Sequence, residues 1–480
     1  MINFLVEIDT RRGQDGTLRF LSAPLDPLNP AGNNLCGKPL SVRLAVPDFT
    51  VKLSEAISGV ILHQTFSLTL ANTDGFFDGY GMDDLFNVPV RIKKATVENP
   101  GMDDFIEIRR GLVETVRKTL ECMEITATDK LRSFEEPVCD VFRKGDFDDI
   151  DIDDEIIGRE KPVIYGEVIT DGIMIKDNSE AAEPRDRFIA YYIAENVRRV
   201  RDLYDREGKP ITYHDYNAEK GILRLPEPVN SPLRELGSLK AFGGPNTIGR
   251  VITDLLERKS GFRYNAANFD MEETNNYRER SAPINIKFTG GEVKQAVETC
   301  LKSDMAYLIQ KNDGRLTVRR YRGGYAKHDI PAWALTQKPA KDYDFAQKMF
   351  FSSCVVRYDY DYIQGQHRHA HLNDKDEANQ VYDKIFRMFF ETYLSMPENA
   401  TGLSDLLSGR FNRLHETVRL GVGVDTAGMN LLDTVRFEGG IDVNGRKFSR
   451  CENWVIREIN PSQDKLVLEE LKGGQNADPL

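Results

Sequence analysis

Residues 67–78 read SLTLANTDGFFD, and this stretch decides the fold class. With Phe66 it alternates: Phe66, Leu68 and Leu70 fall on one face, Ser67 and Thr69 on the other. A period of two is the mark of a half-buried strand, and residues 61–70 are read as one. The run stops at Asn72-Thr73-Asp74-Gly75. Asn and Asp side chains accept from nearby backbone, and Gly tolerates positive φ, so a tight turn follows the strand. Outward from it, residues 88–93, 106–120 and 123–127 read as further strands. Residues 51–138 therefore predict an antiparallel barrel or sandwich.

The chain has 480 residues, room for several domains. Its 40% hydrophobic and 29% charged residues match an ordinary folded protein rather than a disordered or membrane-spanning one. No run of apolar residues is long enough to cross a bilayer as a helix, so no membrane insertion by this chain is expected. The start, MINFLVEIDTRRG, has Glu7 and Asp9 inside its apolar stretch. It reads as a first strand rather than a secretory leader, which places synthesis in a cytoplasm. The net charge of −12 gives no general basic footprint for gripping nucleic acid. Cys36, Cys122, Cys139, Cys300, Cys354 and Cys451 have no metal-type spacing and are read as reduced, mostly buried thiols.

Residues 140–160 are acidic and sparse in apolar side chains, which predicts a loop. KPVIYG (161–166) opens a second β region, continued by 188–193 and 222–225. A third region is α/β. Ile248, Val251, Ile252, Leu255 and Leu256 recur at helical spacing after a capping Asn246 or Thr247, and Gly261 ends them. A second helix spans 291–302. Residues 306–310 and 316–321 flank Asn312-Asp313-Gly314, a strong hairpin signal. The last region returns to β at 351–358, 417–424, 433–437, 454–459 and 465–471, with one helix around Leu403–Leu414. No repeat of 20–50 residues is visible. The order predicts one compact multi-domain body.

Catalytic signatures are missing: the sequence has no GxGxxG, GxxxxGK[ST], HExxH or GxSxG. No enzyme activity, catalytic residue or cofactor is expected. Two constellations carry metal-type spacing. Asp149, Asp151, Asp153 and Glu160 stand at positions 1, 3, 5 and 12 of a calcium loop, but Asp154 holds the place where that loop needs Gly, and Lys161-Pro162 follows at once. A solvated acidic loop is the reading adopted. His367, His369 and His371 would share one face of a strand and could hold a transition metal, but Gln364-Gly365-Gln366 and a polar stretch flank them. They are read as a mobile polar loop.

The phrase SLTLANTDGFFD followed by LFNVPVRIKK (85–94) resembles one found in tail hub proteins of phages, with Asn87 and Pro89 in place of its usual Gly-Arg. RRGLVETV (109–116), MEITATDKLRSFEEPV (123–138) and KPVIYGEV (161–168) are similar to later elements of that family. So are GRVITDLLERKSGF, VKQAVETCLKSDMAYLIQKNDGRLTVRRY and LLDTVRF (431–437), the last with Leu432 where Gly is usual. Together they run in the family's order from about residue 45 to 472.

The resemblance implies a β-rich α+β multi-domain fold in which two tail-tube-like β-barrel domains flank a β domain and an α/β domain. The boundaries it implies are 1–145, 146–245, 246–335 and 336–480. It also implies a structural virion component, a homotrimeric tail or baseplate hub. Such a hub joins the hexameric tail tube, or a distal tail protein, to a spike or central fibre. It lines the channel passed by DNA and a tape-measure protein without binding DNA specifically. The location implied is the virion tail, after synthesis in the bacterial host cytoplasm. The alternatives are a receptor- or cell-wall-engaging tail tip and a tail-associated peptidoglycan hydrolase. Against the tip stands how little chain follows residue 471 to build a fibre.

Overall fold

The computed structural model describes residues 2–471 apart from 12–15, 24–33, 36–37, 40, 54–57, 61–64, 98–99, 129–133, 213, 228–232, 322–326, 337–339, 343–350, 375–386, 413–416, 444–445 and 449–452. The chain is β-rich, with its longer helices gathered in the middle, one more before the final strands, and a single helical turn at Met82–Leu85. A 7-stranded sheet lies at each end of the sequence.

The first sheet uses Asn3–Asp9, Thr17–Leu21, Ser41–Val42, Phe66–Ala71, Pro89–Ala95, Ile106–Lys118 and Cys122–Thr128. Its order is 41–42, 17–21, 3–9, 89–95, 106–118, 122–128, 66–71. The opening stretch behaves as its alternation requires: Phe66, Leu68 and Leu70 are buried, Ser67 and Thr69 exposed. The chain running on from 41–42 closes the sheet into a ring. Leu44 bridges Leu70, the Ala45 amide donates to Thr69 O at 2.9 Å, and the Ala71 amide donates to Arg43 O at 2.8 Å. Closure pairs the two outer strands of the sheet with each other, which reduces the edge left for unwanted pairing.

The second sheet uses His328–Ile330, Ala340–Asp342, Thr417–Gly421, Thr434–Phe437, Asn453–Asn460 and Lys465–Leu471, with Val51–Lys52 as its seventh strand. Its order is 328–330, 434–437, 453–460, 465–471, 417–421, 340–342. It closes in the same way. Leu335 bridges Val422, the Thr336 amide donates to Gly421 O at 3.0 Å, and the Gly423 amide donates to Ala334 O. Leu44–Leu70 thus corresponds to Leu335–Val422, and the flanking bonds correspond one by one.

The correspondence continues round both rings. In the first, Val113 faces Ala127, and a β-bulge then brings Thr115 opposite Thr126. In the second, Ile456 faces Leu468, and a bulge brings Glu458 opposite Val467. The strand entering beside each bulge is held alike. The Asn87 amide donates to Val113 O at 2.8 Å, and the Val113 amide to Val88 O at 3.0 Å. The Leu432 amide donates to Ile456 O, and the Ile456 amide to Asp433 O, both at 3.0 Å. Asn87 (φ 56°) and Leu432 (φ 64°) are both left-handed, a conformation the bulge imposes and only Gly adopts freely. Without its hairpin of 3–9 and 17–21, the first ring has the strand order of the second.

Residues 51–52 and 59–60 do not join the antiparallel unit read over 51–138. Val51–Lys52 adds to the second ring beside Ile459 and Glu458, and Gly59–Val60 adds in parallel to Ala306–Gln310. One apolar core consequently runs from Phe4 to Leu471 through both rings and the α/β part, as a compact body requires. The α/β part holds helices Ile248–Lys259, Met271–Arg280 and Val293–Lys302 and the Ala306–Gln310/Leu316–Arg320 hairpin.

Between the first ring and the α/β part lie two small sheets, with order 167–170, 236–243, 197–205 and order 173–177, 188–192, 222–226, 215–217. Against them packs the stretch 140–160. Its backbone is largely irregular, but it is no solvated loop. Phe142, Phe147, Ile150, Ile152 and Ile156 are buried with Ile175, Ala190, Tyr192 and Ile222. The apolar residues are few and irregularly spaced, which hid them in the sequence, and the carboxylates between them turn outward. Among the described residues no helix is long and apolar enough to cross a membrane. Cys122, Cys139, Cys300 and Cys354 are free thiols, the last three buried; Cys36 and Cys451 lie outside the described residues.

Candidate assembly interface

The two metal-type constellations do not converge. Asp149 pairs with Lys220 at 2.8 Å and with Arg224, and Asp153 pairs with Lys176 at 2.8 Å. Asp151 is exposed, and Glu160 lies against Gly290. Asp149 and Asp153 are drawn to lysines and an arginine, and the four carboxylates do not share a common centre.

The histidines are on a strand, Gln366–Asp374, antiparallel to Ser353–Asp361, and not in a loop. They share a face, but each has its own neighbour. His367 Nε2 lies 3.0 Å from Thr392 O, His369 packs on Tyr358, and His371 Nδ1 lies 3.5 Å from Thr401 Oγ1. Residues 353–361 supply a partner strand, so the polar flanks did not prevent a ladder. Among the described residues no three His, Cys, Asp or Glu side chains are grouped to hold a metal ion.

The chemistry of the chain is concentrated instead where its parts meet. Lys94 is the centre of one junction. It lies next to the end of the strand Pro89–Ala95, on the inward parity of Val90 and Ile92, and it is 0% exposed. Its ammonium crosses to the second ring. There it donates to both carboxylate oxygens of Asp464 (2.7 and 2.8 Å), to Asp425 (3.3 Å) and to Pro461 O (3.0 Å). Asp464 also accepts from the Thr426 amide and hydroxyl.

The hairpin turn 312–314 makes a second junction. Asn312 Nδ2 donates to Ala427 O (2.8 Å) and Met429 O (3.0 Å) in the second ring. On its other side Gly314 (φ +79°) faces the first ring, and a Cβ there would stand 2.6 Å from Arg110 Cδ. The turn residue identified in the sequence is therefore also the point at which three parts of the chain touch.

The third junction is a charge network on Asp433. Arg319 joins Asp433 (2.8 Å) to Glu273 (2.7 Å) and donates to Leu431 O, and Lys327 lies 3.1 Å from Asp433. His328 Nε2 lies 2.9 Å from the other Asp433 oxygen, which also accepts from the Asn430 amide. Burial would raise this carboxyl, but the His328 contact and the charges of Arg319 and Lys327 outweigh it and hold it at about 2. The unfolded value is about 3.9. A depressed native value stabilises above the unfolded value, and that stability is lost as pH falls towards the native one. Asp433→Asn should therefore remove about 2 kcal/mol of stability at neutral pH and flatten the urea-measured decline between about pH 5 and pH 2. An Asp433→Asn variant with the parent's full acid decline would contradict the network.

The opening stretch lies at one end of the first ring. Asn72 is buried. Its Oδ1 accepts from the Phe77 amide at 2.8 Å, and its Nδ2 donates to Asp78 and to Thr119 O. Gly75 is left-handed at φ +71°. Arg43 clamps Asp74 and holds its carboxyl at about 2. Around this knot Phe76, Met82, Phe86 and Leu120 are exposed, Leu120 at 90%.

Sequence reasoning found the turns at Gly75 and Gly314 but missed Lys94, Asn312 and Arg319 as junction residues. A signal existed for Lys94, a lysine on the apolar parity of its strand.

No protein-family model and no curated protein matches the chain. Among solved structures it is similar to a chain of the virion of a native gene transfer agent particle (11% identity, 67% of this chain and 87% of that one, TM-score 0.47). It is also similar to the 43 kDa tail protein of prophage MuSo2 from Shewanella oneidensis (8%, 99% and 99%, TM-score 0.43). A third is a tail protein from Neisseria meningitidis MC58 (8%, 92% and 95%, TM-score 0.44). Identities and scores this low transfer no residue's role.

Proposed function

We propose that the chain is a structural component of a phage-like tail, a hub that three copies build into a ring at the end of the tail tube. The observation that carries this reading is the repeated closure of the two strand rings, Leu44–Leu70 matched by Leu335–Val422 with equivalent bulges at Val113 and Ile456. Two like barrels in one chain let a three-fold assembly offer six similar units. A six-fold tube can stack on those without a symmetry mismatch. The other face would receive a spike or central fibre, and the enclosed channel would pass DNA and a tape-measure protein.

The electrostatics support a conduit rather than a grip. A net charge of −12 repels a passing polyanion. The junctions support a static role: Lys94, Asn312 and Asp433 spend their hydrogen bonds on neighbouring parts of the chain. In this reading the protein is not an enzyme and works without a cofactor. The rotational symmetry of the assembled tail end is the test: three copies support the reading, and a single copy or six copies contradict it.

A further inference from the structure

The small sheet ordered 167–170, 236–243, 197–205 has one apolar and one charged face. Val168, Val200, Leu203, Leu239 and Ala241 are buried on the first. The second presents Arg199 and Arg201, both exposed, over the ring of Phe242 at 4.3 and 6.0 Å. A β-bulge between Val197 and Arg199 inserts Arg198 and turns it to solvent as well. Neighbouring cations have carboxylate partners: Lys240 pairs with Asp202 at 3.1 Å, Arg206 with Glu235 at 2.7 Å and Arg234 with Asp205 at 3.4 Å. Among the described residues no carboxylate pairs with Arg198, Arg199 or Arg201. Arg201 also stands directly opposite Lys240 in the ladder, a like-charge pairing that costs stability unless an anion offsets it.

Arg198 is shared with a cleft of about 360 Å³, which Asn196, Glu219, Asp254 and Arg258 also line. Its polar wall is held in place from behind. Tyr165 Oη donates to Asp254 at 2.7 Å, and Arg258 lies 3.6 Å from Asp254 and 3.1 Å from Glu195. Fixed donors and acceptors thus stand beside three guanidinium groups that have no counter-charge.

We infer that the arginine face and the cleft together bind a phosphate-bearing sugar unit of a bacterial surface glycan. Guanidinium groups recognise phosphate through paired N–H donors, and the Phe242 ring keeps two of them in position. Glu219 and Asp254 supply acceptors for sugar hydroxyls. DNA fits less well. A duplex carries one charge per about 1.7 Å of axis. Such a run would meet Glu167 and Asp202, which flank the arginines at Lys240, and Glu219 in the cleft. A single phosphate between the arginines meets no such repulsion. The ligand chemistry rests on these residues alone; the source, a surface glycan, rests on the tail reading.

Calorimetric titration of the full chain with glucose 1-phosphate, glucose, inorganic phosphate and a short single-stranded DNA tests the site. Glucose 1-phosphate is expected to bind at about 1 mM or tighter. Glucose, inorganic phosphate and the DNA should each bind at least tenfold more weakly. Arg199→Gln with Arg201→Gln should cost at least tenfold, while Arg206→Gln, at an arginine paired with Glu235, should change nothing. All three positions are exposed, and an unchanged urea midpoint shows that the fold is kept. Inorganic phosphate bound as tightly as glucose 1-phosphate would overturn the sugar, and DNA bound more tightly would make this a nucleic-acid surface. No binding of glucose 1-phosphate would overturn the site. The source is read from retention of the protein on envelope fragments of the particle's host, which chemical removal of their phosphate should abolish. Retention that ignores phosphate, with glucose 1-phosphate still bound, would overturn the glycan source and leave the tail reading, which particle symmetry tests, in place.

Discussion

Lys94→Ala is expected to lower the folding free energy by about 3–5 kcal/mol, read from the urea midpoint at neutral pH. The ammonium is removed, but Asp464 and Asp425 remain facing it across the junction, only 13% and 28% exposed. A buried pair loses most when one partner is taken away, because the other charge is left uncompensated. Pro461 O loses its donor as well. The second change that tests this cause is Asp464→Asn. Asn keeps an acceptor for Thr426 and tolerates the left-handed backbone there (φ 50°). Lys94→Ala with Asp464→Asn should therefore recover part of the loss. A single-variant loss below about 1 kcal/mol, the size of an exposed pair, would mean that the junction is not desolvated.

The second large effect concerns the correspondence between the rings. In the first, Gly111 leaves room for Phe66: a Cβ on Gly111 would stand 2.8 Å from the Phe66 ring. In the second ring the matching positions are Trp454 and Val418, both fully buried. Bulk has moved from one strand to the other while the site stayed filled. Trp454→Gly alone should cost at least about 3–5 kcal/mol, the cost of emptying a large aromatic site. Adding Val418→Phe reproduces the pair of the first ring and should restore part of that stability. If Val418→Phe makes Trp454→Gly worse, the two rings do not share a packing register at this position.

The strands were legible where one face is wet. Phe66, Leu68 and Leu70 alternate with polar residues, and the structure buries that face alone. The 248–259 and 293–302 helices were legible because their apolar stripes face the core. Helix Met271–Arg280 was not, since only Thr274 and Tyr277 are buried on it. Its ends did carry signals: Asp270 accepts from the Glu273 amide, and acidic residues lead while arginines close. The strand Gln366–Asp374 was hidden because its pairing partner, not its own composition, makes it a strand.

The duplication of the rings was the least legible feature. Its matching elements are backbone bonds, a bulge and a left-handed residue, and these constrain side chains weakly. Asn87 and Leu432 do the same job with unlike side chains. An additional hairpin at 3–9 and 17–21 and a long excursion before residue 417 also break any fixed spacing.

The measurement that bears most directly on the hub is the rotational symmetry of this protein in the assembled tail end, by electron cryo-microscopy of the parent particle. The expected result is three copies whose two barrels each alternate in a ring of near six-fold symmetry against the tube. A single copy, or six copies each contributing one barrel to the ring, would contradict it.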